Sequence, residues 1–290
     1  MLNRSLFILF LFSLLCFMGC RSEEKSAEPI YKSEIQIDSL FSDTLNRYVK
    51  YRTYVPDSTF LNESTQVIYL LHGHGGSDDD WITAEEGNVQ QLLDSLVLTN
   101  QIPPVFAATL NAGNSWYVNQ QEAMESMYIK EFIPYIESHY NLTVPEGSRV
   151  LAGNSAGGYG ALRFGLLYPS LFKDVMLLSP AAYYPSPPQV SSSRKIDVFK
   201  ENDKFNDSIW QSYSYQQIAK QRPLSNLPTF YISTGDDDKY GIFEVISQLN
   251  TFFTENEIKH EIIVTNGGHS WDVWRQNFCN DLIRILNQTN

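Results

Sequence analysis

Cysteine is scarce: Cys16, Cys20 and Cys279 are the three in 290 residues, so no disulfide framework can hold the fold. Basic charge is short too. Twenty-one Lys and Arg face 33 Asp and Glu, a formal net charge of −12. Such a chain repels nucleic acid, anionic glycans and bare anionic lipid surfaces, and it favours neutral substrates. No internal repeat is present, which excludes solenoids and propellers. The single long apolar run, residues 2–19, is too short and too soon interrupted by Gly19-Cys20-Arg21-Ser22-Glu23-Glu24 to span a bilayer.

That run, with Arg4 near its start, reads as a signal peptide. Phe17-Met18-Gly19-Cys20 resembles a bacterial lipobox with Phe17 where leucine is more usual, which makes Cys20 the expected lipidated first residue of a cell-envelope lipoprotein. Each buried methylene contributes about 0.8 kcal/mol, so a diacylglycerol anchors stably where one acyl chain would not. Ordinary secretion, with Cys20 a plain thiol, is the alternative. Cleavage removes Arg4, leaving 20 basic against 33 acidic residues and a net charge of −13. Residues 20–34 read as the anchor and a solvated tether, and residues 35–290 as one large α/β domain.

Within that domain, residues 47–55 alternate in the manner of an exposed or edge strand stopped by Pro56. Residues 66–71 are a nearly continuous apolar run, as in a strand covered on both faces, and runs of the same kind fall at 104–110, 149–153, 175–178, 229–233 and 261–264. Helical patterns occupy 89–99, 122–140, 158–168, 241–256 and 270–287. Alternating strand and helix predicts a mostly parallel sheet with helices on both faces. Residues 183–223, with Pro185, Pro187, Pro188 and Ser191-Ser192-Ser193, break that rhythm and are too long for an ordinary connection. They are expected to form a lid or wall over the carboxyl edge of the sheet, or else a solvent loop held down by Phe199, Phe205, Ile209 and Trp210.

Gly153-Asn154-Ser155-Ala156-Gly157 lies between such a strand and a glycine-softened helix. Glycines two before and two after a serine allow the sharp turn that lifts its hydroxyl clear of a sheet, so Ser155 is the expected nucleophile. A serine hydroxyl needs a base, and the base needs a third group to fix its tautomer. His260 opens a strand and lies at the wrong end; His269 follows that strand in Asn266-Gly267-Gly268-His269 and is the expected general base. The acid lies in Ser233-Thr234-Gly235-Asp236-Asp237-Asp238, and spacing does not choose among the three aspartates. Leu71-His72-Gly73-His74-Gly75-Gly76 follows a buried strand, where a glycine-rich anion loop belongs; the main-chain N–H groups of His74 and Ala156 would converge on an oxyanion. Reading His72 and His74 as a metal pair lacks a nearby third ligand in sequence and leaves the glycines unexplained.

These segments together, Tyr69 through Trp81, the Gly153 elbow, the turn ending at Asp238 and Gly267-Gly268-His269-Ser270-Trp271-Asp272-Val273-Trp274, resemble the putative-esterase family of α/β-hydrolases. That family holds esterase D, feruloyl and acetylxylan esterases, siderophore esterases and mycolyltransferases. The resemblance implies an α/β-hydrolase fold and a serine esterase that needs no cofactor or metal. It favours Asp238 as the acid, three residues after Gly235, and His74 and Ala156 as oxyanion donors. Asn154 departs from the leucine or methionine of several relatives, and its side chain is expected to face away from the nucleophile. Asn114-Ser115-Trp116-Tyr117 resembles the family's pocket-lining segment, so Trp116 either touches substrate or is a buried structural residue. The expected substrates are acyl or feruloyl esters of neutral carbohydrates; broad short-chain acyl esters, siderophore esters and acyl transfer are alternatives, and a non-catalytic glycan-binding lipoprotein is the reading from another class.

Overall fold

The computed structural model describes residues 31–59 and 65–287. Among the described residues eight strands form one sheet, in the order β1 (Glu34–Ser42), β2 (Arg47–Val55), β4 (Val105–Leu110), β3 (Gln66–Leu71), β5 (Arg149–Asn154), β6 (Phe172–Leu178), β9 (Thr229–Gly235), β10 (His260–Thr265). The first pair, β1 and β2, is antiparallel, and β2 runs antiparallel to β4. From β4 onward, β3, β5, β6, β9 and β10 are all parallel. This is the α/β-hydrolase arrangement.

Strand periodicity divides the core in two. Val67, Tyr69, Leu71, Leu151, Val175, Leu177, Phe230 and Ile232 face one layer, while Ile68, Leu70, Val150, Ala152, Met176, Leu178 and Tyr231 face the other. The first layer is covered by α4 (Ala156–Leu167), α7 (Ile242–Glu255) and the helical run through Met124–Met127, Tyr128–Phe132 and Ile133–His139. The second is covered by α1 (Val89–Leu98) and α8 (Trp271–Asn287). Burial of each large side chain contributes roughly 1.5–3 kcal/mol, which is why both faces of these strands read as apolar. The helical run widens to π geometry at Tyr128–Phe132, directly before Pro134, whose missing N–H and ring cannot continue an α ladder.

Two expectations need correction. Residues 47–55 are not an edge strand, because β1, which their own pattern did not announce, lies outside them. Residues 31–33, expected in the tether, are packed on the domain: Tyr31 and Ser33 are buried, Tyr31 Oη pairs with Tyr54 Oη at 2.7 Å, and Ser33 Oγ donates to Asp94 at 2.9 Å. Residues 183–223, expected as a lid or wall or else as a solvent loop, are built of short elements, among them β7 (Lys200–Glu201), β8 (Lys204–Phe205), α5 (Asp207–Ser212) and α6 (Tyr215–Gln221), with Phe199 buried beneath them. Trp210 is fully buried, stacked 5.2 Å from Tyr159, and Arg163 of α4 joins Glu125 at 2.7 Å while donating to the Tyr213 carbonyl. The Tyr213 carbonyl, which also accepts from Tyr159 Oη at 3.2 Å, thus ties the insertion to the sheet's helical layer through an arginine that the ion pair holds in place.

The expected signal peptide at 1–19 and the expected lipidation site Cys20 lie outside the described residues. Among the described residues no helix is long and apolar enough to cross a membrane.

Candidate active site

Ser155 sits between β5 and α4 with φ 53° and ψ −112°, a conformation that costs an ordinary residue of order 1–3 kcal/mol. The surroundings impose it. Ser155 N–H donates to the Leu178 carbonyl at 2.8 Å, and the Ser155 carbonyl accepts from Ala181 and Tyr159, each at 3.0 Å. Gly157 is obligatory for a different reason: a Cβ there would lie 2.2 Å from the Leu71 carbonyl oxygen. The elbow is therefore pressed against the end of β3, beside the loop that carries His74, and the open first turn of α4 lies next to the serine hydroxyl.

His269 lies on the loop between β10 and α8. Its Nε2 is 2.9 Å from Ser155 Oγ and its Nδ1 is 2.6 Å from Asp238 Oδ2. A carboxylate only accepts, so Nδ1 carries the proton and Nε2 is left to accept from the serine hydroxyl. Tyr240 and Trp274 hold the ring edge-on from two sides, at 4.8 and 4.9 Å.

The three aspartates that spacing could not separate have three different surroundings. Asp238 is buried and also accepts from Tyr240 N–H at 3.0 Å and, more weakly, from Thr234 Oγ1 at 3.4 Å. Asp236 is exposed, and its carboxylate accepts from Gly267 N–H at 2.8 Å. Asp237 is exposed as well and contributes its backbone N–H to the Gly267 carbonyl at 2.9 Å. Asp236 and Asp237 thus bind the acid loop to the histidine loop. The two approach so closely that a Cβ on Gly235 would lie 2.0 Å from the Gly267 carbonyl oxygen.

His72 and His74 also separate. His72 is buried; its Nδ1 meets the Gly73 carbonyl at 2.8 Å, and its Nε2 accepts from Ala112 N–H at 3.0 Å. Both nitrogens are occupied, burial holds its pKa below the usual imidazole value, and no lone pair is left for a metal. Tyr117 Oη donates to the His72 carbonyl at 3.1 Å, Asn114 accepts from Gly75 N–H at 2.9 Å, and Arg52 reaches Asp78 at 2.9 Å. The loop bearing His74 is thereby fixed at both ends.

The pocket around Ser155 encloses about 590 Å³ and is bounded by Gly73, His74, Gly75 and Trp116 on one side and by Tyr183, Ser191 and Ser192 of the insertion on another. Asp80, Glu85, Glu86 and Asp272 also line it, Asp272 paired with Arg275 behind it, and among the described residues no lysine or arginine is part of the lining. Trp116 presents an edge to this space, but its ring is 2% exposed and packs among Tyr159, Phe199 and Trp210. Asn154 does not face away as expected. It borders the pocket, with its amide nitrogen 3.1 Å from where a Gly73 Cβ would stand, because the turn at Ser155 tips the preceding side chain toward the His74 loop.

Sequence reasoning missed a polar chain behind the acid. Trp274 Nε1 donates to Ser179 Oγ at 3.0 Å, Ser179 Oγ lies 3.2 Å from Thr234 Oγ1, and Thr234 reaches Asp238. Ser179 holds φ 45° at the end of β6, a strained position that no local motif announces.

A family model described as Putative esterase matches residues 42–285. The chain belongs to this esterase family. As an esterase of that family it is a carboxylic ester hydrolase. The esterase is 27% identical over 245 residues to an acetyl esterase of Caldicellulosiruptor saccharolyticus, covering 78% of this chain and 86% of the relative. It is 27% identical over 129 residues to an endo-1,4-beta-xylanase/feruloyl esterase of Xylanibacter ruminicola, covering 42% of this chain but only 18% of that longer protein. Among solved structures it resembles a ferulic acid esterase with a TM-score of 0.73 and 24% identity, covering 88% of this chain and 98% of the other. That last likeness bears on the fold.

Proposed function

We propose that the protein is a serine esterase that removes acyl or feruloyl groups from neutral carbohydrates by way of an acyl-enzyme. Ser155 Oγ attacks the ester carbonyl while His269 Nε2 takes its proton. The tetrahedral oxyanion is held by the main-chain N–H groups of His74 and Ala156, a pair of donors of which each is typically worth about 2.7–4 kcal/mol. Collapse breaks the bond to the alcohol, which leaves with the proton from His269. Water then attacks the acyl-enzyme with His269 again as base, the acid departs, and Ser155 recovers its proton. Asp238 keeps the imidazole in the tautomer that can accept and stabilises the imidazolium. The hydrogen-bonded sequence Ser155–His269–Asp238 supports this reading most strongly.

The carbohydrate assignment draws on the acetyl and feruloyl esterase relatives and on the pocket lining, whose carboxylates accept from sugar hydroxyls and repel anions such as iron-siderophore complexes. A short-chain acyl esterase of broad scope is favoured by the acetyl esterase relative, and acyl transfer to a sugar would use the same residues. A glycan binder without catalysis has no use for the serine–histidine–aspartate arrangement. The protein is further proposed to be held at the cell envelope by lipid on Cys20.

The test is a panel of p-nitrophenyl acetate, methyl ferulate and acetylated xylan, with labelling by a fluorophosphonate probe. Wild type is expected to hydrolyse and to be labelled, and Ser155→Ala to do neither. Turnover by Ser155→Ala equal to wild type would end the proposal.

A further inference from the structure

Two further hollows continue from the Ser155 pocket along the outer side of α7. The first, about 440 Å³, shares Tyr183 and Tyr240 with the pocket and is otherwise walled by Tyr184, Pro188, Val190 and Gln248. The second, about 230 Å³, shares Tyr184 and Gln248 with the first and adds Tyr215 and Gln216. Each junction is therefore aromatic. Tyr240 is the ring that packs 4.8 Å from His269, and Tyr183 Oη donates to its carbonyl at 3.1 Å, which sets the first ridge. Tyr184 lies 6.0 Å from Tyr215, which itself rests 4.8 Å from Phe252 of α7, so the second ridge stands on the core. Val190, 59% exposed, forms the outer lip.

We infer that this run of hollows is a binding trough for the glycan that carries the ester, leading from the bond to be cleaved over Tyr240 and Tyr184. The inference rests on the esterase reading given above. The lining supports a glycan over the other occupants. Sugar rings present apolar C–H faces that stack on tyrosine, and equatorial hydroxyls that pair with primary amides, which both donate and accept. Tyr184 supplies such a face, and Tyr240 a second on the side not covered by Lys239, whose Nζ lies 5.2 Å from its ring centre; Gln216 and Gln248 supply the amides. Lys239 and Glu244 of the first hollow offset each other in charge and Glu255 lines the second, so nothing there selects an anion. The trough is open along its length, as a polymer threading past a fixed nucleophile requires, whereas an acyl group a few atoms long would end within the first pocket. Contacts remote from the reacting bond are also where an esterase gains discrimination between a polymer-borne ester and a small one.

The experiment uses the full-length protein and two substrate series: feruloylated or acetylated xylo-oligosaccharides of increasing length, and p-nitrophenyl esters of increasing acyl length. In wild type, kcat/KM is expected to rise with the number of sugar residues. Tyr184→Ala and Gln248→Ala should each remove roughly three- to tenfold of that rise, through KM, on the scale of one lost ring contact for the tyrosine and one lost hydrogen bond for the glutamine, while the ratio on methyl ferulate changes little. Tyr184→Phe keeps the ring and should retain most of the gain; Gln248 is exposed on α7, so its loss does not disturb the core. Indifference of wild type to sugar length, or a loss by both alanine variants that follows acyl length instead, would overturn the trough. Either result leaves the esterase reading intact, because that reading fails only if wild type hydrolyses no ester or Ser155→Ala remains active.

Discussion

The choice of Asp238 over its neighbours can be tested by changing one atom. In Asp238→Asn the amide has two placements. With Nδ2 where Oδ2 now stands, it faces His269 Nδ1 at 2.6 Å and must donate, so the imidazole proton moves to Nε2 and points at Ser155 Oγ; the base is then lost. With Nδ2 where Oδ1 stands, it opposes Tyr240 N–H at 3.0 Å, two donors in a buried space, costing about 1–3 kcal/mol. Both placements also remove the negative charge beside the imidazolium. The expected loss in kcat is of order 10³–10⁴, about 4–5.5 kcal/mol of barrier. Asp236→Asn keeps an oxygen to accept from Gly267 N–H, and Asp237 acts through its backbone, so those two variants should each lose less than about tenfold. Steady-state hydrolysis of p-nitrophenyl acetate, with thermal melts to confirm folding, measures all three. Retention of more than a tenth of the activity by folded Asp238→Asn, or an equal loss in all three variants, would refute the reasoning.

Replacing His72 by Phe keeps an aromatic ring but leaves the Gly73 carbonyl and the Ala112 N–H unpaired, at about 1–3 kcal/mol each; urea denaturation should show a lowered midpoint and kcat should fall as the His74 loop loosens. Asp281 is buried on α8; Arg284 makes only a long contact to its Oδ1 at 3.4 Å while also pairing with Glu261, Oδ2 has no partner, and burial pushes its carboxyl up to about 7. An acid with its folded pKa raised contributes fully below the unfolded value near 4 and loses that contribution as pH rises to about 7. Asp281→Asn should therefore gain several degrees in Tm at pH 8 and nothing at pH 4, and a gain independent of pH would contradict this. Cys20→Ser should release the protein from the membrane fraction without altering its specific activity, measured by fractionation of cells.

What could be read from the sequence follows from what periodicity encodes. Strands β3, β4, β5, β6 and β9 are covered on both faces, so their apolar runs are continuous and unmistakable. β1 shows the opposite case: Ile37 and Phe41 point to solvent while Leu40 is buried, so alternation names the wrong face and the strand goes unseen. Tyr31 and Ser33 looked like tether because hydroxyl groups read as polar, yet both are buried through hydrogen bonds to residues far along the chain. Ser155 and His269 were legible because glycines flank each in a strand-to-loop setting. The acid was legible only through the family resemblance, which favours Asp238, since Asp236, Asp237 and Asp238 differ only in the direction each side chain takes from one turn. The same holds for His72 and His74, which share a glycine-rich loop and point to opposite sides of it.

The groups proposed to act at the scissile bond and those proposed to hold the rest of the substrate come from different kinds of structure, and this bears on how the protein could change. Ser155, Asp238 and His269 leave the ends of β5, β9 and β10, and their loops are tied to one another by main-chain bonds such as Ser155 to Leu178, Ser179 to Ser233 and Asp237 to Gly267. Moving any one of them disturbs a neighbouring strand. The rest of the pocket and the trough are lined instead by connections, residues 80–86, 183–192 and 239–241, and by the exposed side of α7. Substitutions there alter what is held without shifting the imidazole. A change of substrate within this fold is accordingly expected to appear in KM and in chain-length preference, with kcat on a small activated ester left as the fixed property of the sheet.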